Sequence, residues 1–124
     1  MSVFDKLLGN ATEVKIDDIS KEFEPILIDG EVVESAFCVI RDKWVFTNKR
    51  LILLDIQGLT GSKREYMTIP YRSVDRYSIE TSGTIDEDCE MKIWIKGTTE
   101  PLVKEFKRNT DIAGLQRALS SHIL

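Results

Sequence analysis

A chain of 124 residues is enough for one domain and too short for two with cores of their own. At 42% hydrophobic and 31% charged, it has the apolar surface to fold and the charge to stay in solution, which excludes wholesale disorder. Seventeen Lys and Arg against 21 Asp and Glu leave a net charge of −4, the wrong sign for generic binding to nucleic acid. The start, Met1-Ser2-Val3-Phe4-Asp5-Lys6, lacks a basic region followed by a long apolar stretch. No run reaches the ~18–20 apolar residues of a bilayer span, so a cytoplasmic protein is the expectation.

The first elements are helical. Phe4, Leu7, Leu8 and Ala11 recur at helical spacing, Gly9-Asn10 is a break, and Ile16, Ile19 and Phe23 resume the stripe until Pro25 ends it. Residues 1–25 are read as a helical arm and 26–124 as the domain proper. The stripe bearing Phe4, Leu7 and Leu8 is expected to pack on its own domain or on a neighbouring subunit. A membrane surface fits it poorly, because the polar face carries Glu13, Asp17, Asp18, Glu22 and Glu24 where a membrane helix is usually basic.

From Ile26 the period changes to that of β-structure. After a turn at Asp29-Gly30, the run from Glu31 to Arg41 is apolar at both even and odd positions, which predicts a strand covered on two faces. Arg41-Asp42-Lys43 connects it to the segment from Lys43 to Gln57. That segment runs apolar into Thr47-Asn48-Lys49-Arg50, where Asn tolerates positive φ, and runs apolar out again, the signature of a hairpin. Leu51-Ile52-Leu53-Leu54 is apolar without alternation, so this strand too needs a second covering layer, for which another subunit is a candidate. A Gly-containing loop from Gly58 to Arg64 leads to a fourth strand, Glu65 to Ile69, closed by Pro70.

A second group follows. Tyr71 to Thr81 alternates around Tyr77 and Ile79, and an acidic stretch runs through Asp86-Glu87-Asp88. Cys89 to Lys96 then places Met91, Ile93 and Ile95 opposite Glu90, Lys92, Trp94 and Lys96. Such a strand is wet on one face, and a Trp on the wet face marks an interface candidate. After a turn at Gly97-Thr98-Thr99, Leu102 to Phe106 makes a seventh strand. Asn109, Thr110 or Asp111 caps a closing helix with its stripe at Ile112, Leu115, Ala118, Leu119 and Ile123. The fold class is all-β, a seven-stranded sandwich or open barrel of four plus three strands, capped by a C-terminal helix.

Signals for chemistry are sparse. Gly58-Leu59-Thr60-Gly61-Ser62-Lys63 has the wrong gap and a following strand for a phosphate loop. His122, the only histidine, stands at the chain end without an evident catalytic partner. The acids from Asp86 to Glu90 lack calcium-loop spacing, and Cys38 and Cys89 sit in apolar strand surroundings as plain thiols. No catalytic residue, cofactor or metal site is therefore expected. Lys49-Arg50 and Lys63-Arg64 remain as candidate anion sites if neighbouring strands bring them together.

The strand order, with Thr47-Asn48-Lys49-Arg50-Leu51 in the hairpin and Ile69-Pro70-Tyr71-Arg72-Ser73-Val74 entering the second group, resembles the bacterial pleckstrin-homology-like family over roughly Ile26 to Leu124. The resemblance implies a pleckstrin-homology fold, self-assembly into ring-like homo-oligomers through sheet edges, and no enzymatic activity. Phosphoinositide-binding relatives carry spaced basic residues between their first two strands. Arg41-Asp42-Lys43 has an acid in the middle, and the last helix lacks a tryptophan, so the match is to the bacterial branch. The expected partner is the chain itself, with another protein or an anionic membrane surface as the alternative.

Overall fold

A computed structural model describes residues 15–39, 41–81, 89–106 and 111–124. Helix α1 (Ile16–Phe23) is followed by a 3-10 turn at Glu24–Ile26, where Pro25 occupies an opening position that needs no N–H donor. Strands β1 (Val33–Val39), β2 (Asp42–Thr47), β3 (Arg50–Gln57) and β4 (Lys63–Pro70) form an antiparallel meander in that order. A 3-10 turn at Tyr71–Ser73 turns the corner into a second sheet of β5 (Val74–Glu80), β6 (Cys89–Ile95) and β7 (Leu102–Phe106). Helix α2 (Ile112–Ile123) closes the chain, capped by Asp111, whose carboxylate accepts from the Gly114 N–H at 3.0 Å.

Two apolar layers hold these elements. Between the sheets, Trp44, Phe46, Leu51, Leu53, Met91, Ile93 and Phe106 pack together, and Leu115 and Leu119 of α2 plug the open end. On the other face of the four-stranded sheet, Val45, Ile52 and Leu54 meet Ile19 and Phe23 of α1. All four residues from Leu51 to Leu54 are buried, as their unbroken apolar run requires. The second cover is α1 of the same chain, so the stripe of Ile19 and Phe23 packs on its own domain and not on the other subunit that stood as a candidate. Burying Ile19 and Phe23 contributes about 3–6 kcal/mol.

The doubled apolar pattern of β1 has a separate cause. Register slips between Val33 and Ser35, leaving Glu34 as the extra residue of a bulge. The parity of the strand changes there, so Val33 and Ala36 both reach the α1 side while Phe37 points into the main core. The arm residues Phe4, Leu7 and Leu8 and the acids Asp86 to Asp88 lie outside the described residues.

Candidate functional site

Glu31 occupies the hairpin end of the four-stranded sheet with its side chain fully out of solvent. Its Oε2 accepts from Arg50 Nε at 2.8 Å and from the Thr47 hydroxyl at 2.7 Å, while Oε1 accepts from Arg50 Nη2 and the Ile28 N–H, each at 3.0 Å. Desolvation pushes this carboxyl up, but the hydrogen bonds from Arg50, Thr47 and Ile28 outweigh it and hold the group at about 2. Arg50 also donates to the Ile26 carbonyl at 2.7 Å and the Thr68 hydroxyl at 2.9 Å. Its guanidinium is thus spent on a clasp between the α1 segment and the hairpin, and a ligand would have to break that clasp to reach it. Asn48 adds to the clasp by accepting from the Val32 N–H at 2.8 Å and donating to the Gly30 carbonyl at 3.0 Å.

The other sequence candidates are scattered. Register places Arg50 opposite Pro70 and Ile56 opposite Arg64, which sets Lys49-Arg50 and Lys63-Arg64 at opposite ends of β4. Six residues at about 3.4 Å each separate them by about 20 Å, so the strands do not bring the two basic pairs together. Lys49, Lys63 and Arg64 are exposed. Asp42 and Lys43, read from the sequence as connection, open β2, where Asp42 accepts from the Ile56 N–H at 2.9 Å and Lys43 pairs with Glu22 of α1 at 2.6 Å, so both serve the fold. Trp94 is half-buried beneath the Arg76 guanidinium, which lies 4.5 Å from its ring centroid.

His122, for which the sequence shows no evident partner, is held on two sides. Its ring stacks on Tyr71 at 4.1 Å and 3°, and its Nε2 lies 2.9 Å from the bulged Glu34 carboxylate. Tyr71 in turn donates its hydroxyl to the Thr47 carbonyl at 2.6 Å. Burial, with Glu34 and Glu31 nearby, pushes the Tyr71 hydroxyl well above the usual phenol range, so it stays a donor. Burial likewise pushes the Cys38 thiol up, in keeping with a packing role.

Two surface features escaped the sequence. A groove of about 170 Å³ separates the sheet edges, floored by Leu53, Met67 and Leu102 and rimmed by Asp55, Glu65 and Lys104. β4 and β7, which border it, are each the last strand of their sheet. Leu59 stands fully exposed at the tip of the β3–β4 loop, between Gly58 and Gly61 in left-handed conformations at φ 83° and 70°. Arg41 fixes the loop by donating to the Gly58 carbonyl at 2.7 Å.

No group of three or more His, Cys, Asp or Glu suited to a metal ion occurs among the described residues, and no helix among them is long and apolar enough to cross a membrane. The four-plus-three sheets and the plugging helix match the fold that the sequence order implies, and the family model described as the bacterial PH domain matches residues 2–123. This chain belongs to the bacterial PH domain family. It is 48% identical over 122 residues to the uncharacterized protein YjqA of Bacillus subtilis (strain 168), covering 98% of each chain. The pleckstrin homology domain from Shewanella amazonensis SB2B has a TM-score of 0.88 at 47% identity, with 99% of each chain covered. A DUF1696 family protein with a pleckstrin-homology domain from Shewanella loihica gives 0.82 at 48% identity, covering 94% of this chain and 99% of that one. The bacterial PH fold is generally non-catalytic.

Proposed function

We propose that this bacterial PH domain is a non-enzymatic cytoplasmic interaction module that joins copies of itself into a closed ring through its sheet edges. The observation that carries the reading is the groove between β4 and β7, with its apolar floor and an outermost strand on each side. An outermost strand presents N–H and C=O groups to a new neighbour, and an extended segment laid on β4 would set alternate side chains toward Met67 and Leu102. Repeated head to tail, such a contact closes into a ring when the rotation allows. Because α1 covers Ile52 and Leu54, the case for assembly rests on edges rather than on doubly apolar strands.

Light scattering on a sizing column tests this with the full chain at tens of micromolar. A discrete multimer is expected, and a monomer at every concentration sinks the reading. Proline at Glu65 or at Tyr66 locates the contact, since one of two successive N–H groups on β4 faces away from β3. Whichever variant remains folded with that outward group removed is expected to be monomeric.

The exposed tip of Leu59, close in sequence to the exposed Lys63 and Arg64, favours one further reading, a weak contact with an anionic membrane. One leucine and two cations contribute about 4 kcal/mol, a millimolar affinity that only a multimer would raise to a useful level. Co-sedimentation with phosphatidylserine vesicles at low salt, lost in Leu59→Ser, supports it. No binding by the wild-type chain removes it.

A further inference from the structure

The outer face of the three-stranded sheet is uncovered by any element among the described residues, and its charge is sorted along the strands. Direct cross-strand partners share a face. The register sets Arg76 of β5 beside Trp94 of β6, with exposed Lys96 just beyond. Two residues along, Lys92 lies beside Val103, which is 47% exposed. Two further on, Glu80, Glu90 and Glu105 stand side by side across all three strands. Like charges directly opposite one another in a sheet are destabilising, and the one cation near this row among the described residues, Lys92 Nζ, is 3.8 Å from Glu90. At the other end Arg76 meets the Asp75 carboxylate in an exposed pair, 62% and 46% accessible, which costs little to exchange for another partner.

We infer that this face packs against the same face of a second copy about a two-fold axis lying between the faces and across the strands. That rotation reverses the row order, so the glutamate row of each copy lies over Arg76 and Lys96 of the other. Trp94 and Val103 lose water near the middle of the contact, and Lys92 is already turned aside toward Glu90. Such a contact is isologous, each surface complementing itself. Three strands spaced about 4.8 Å apart offer only a few hundred Å² per copy, below the roughly 800 Å² of a stable interface, so the association is weak and electrostatic. It is separate from the β4 edge, and the main-chain pairing proposed there does not depend on these charges.

Sedimentation velocity on the full chain, compared between about 20 mM and about 500 mM salt, reads the contact directly because screening removes it. The wild-type chain is expected to associate at low salt and to lose about tenfold in affinity at high salt. Glu80→Lys with Glu90→Lys makes both ends of the face positive, and Arg76→Glu with Lys96→Glu makes both negative. Each variant alone is expected to lose about tenfold, and an equimolar mixture of the two to regain at least the wild-type affinity. Circular dichroism checks folding, with Lys96→Glu alone serving if the double change unfolds. Self-association of either variant at wild-type strength, a mixture no tighter than its components, or no salt-sensitive association in the wild type overturns the inference. An edge multimer that persists in every variant with no salt-sensitive association beyond it leaves the β4 reading intact while this one fails.

Discussion

The two sheets of this domain treat their outer faces in opposite ways. The four-stranded sheet turns Val45, Ile52 and Leu54 outward and covers them with Ile19 and Phe23 of α1. The three-stranded sheet turns Arg76, Lys92 and a row of glutamates outward and has no helix over them among the described residues. The difference follows from side-chain alternation: β6 alternates apolar and polar, whereas β3 is apolar on both sides over Leu51–Leu54. An outer face without polar groups must recruit a layer, and here the recruit comes from the same chain.

The sharpest way to break the contrast is to remove the cover. A chain lacking residues 1–24 is expected to unfold or aggregate, while one lacking residues 1–14 keeps its cooperative melt, because Ile19 and Phe23 remain. The milder change Phe23→Ala, at a side chain 1% exposed, should cost about 3–5 kcal/mol in urea denaturation. Equal stability of the two truncated chains would mean that α1 is dispensable and the contrast superficial.

The clasp that ties the cover to the hairpin gives the next largest effect. Glu31→Gln is expected to cost about 3 kcal/mol at neutral pH, since it leaves Arg50 without its buried counter-charge. The folded carboxyl titrates at about 2. In the unfolded chain it titrates near the ordinary value of about 4.3. Its contribution is therefore fully present above that ordinary value and falls away as pH drops toward 2. The wild-type chain should lose stability relative to Glu31→Gln across that interval in pH-dependent denaturation, and parallel curves would contradict the assignment.

On the bare sheet, effects should be small. Arg76→Ala removes an exposed ion pair and the cover over Trp94, for an expected cost of about 0.5 kcal/mol. Its better readout is fluorescence. Trp44 is 3% exposed and Trp94 half-buried, so the added red-shifted emission belongs to Trp94. A cost of several kcal/mol would mean that this face is as structurally committed as the covered one.

These contrasts also mark what the sequence discloses. The hairpin was legible because Asn48 and Lys49 separate two apolar runs, and the need for two covers was legible in Leu51–Leu54. The identity of the second cover was not, because a stripe at helical spacing says that a helix has an apolar face without saying what it meets. Arg50 read as a free turn cation because its partner Glu31 lies far back in the chain and only the folded register joins them. His122 showed no evident partner for the same reason, since Tyr71 and the bulged Glu34 reach it only after both sheets and α2 are in place. The groove between β4 and β7 depends on how far apart two sheet edges come to rest, which no local pattern encodes.

The position of α1 ahead of the strands it covers has a consequence for biosynthesis. A chain leaving the ribosome presents Ile19 and Phe23 before Val45, Ile52 and Leu54 have been made. When the β2–β3 hairpin closes, the helix that shields its outer side is already tethered a few residues from β1, and Glu31 is in place to receive Arg50. The apolar outer side of β2 and β3 thus has its guard waiting as it emerges, whereas the inter-sheet core must wait for α2, which follows all seven strands.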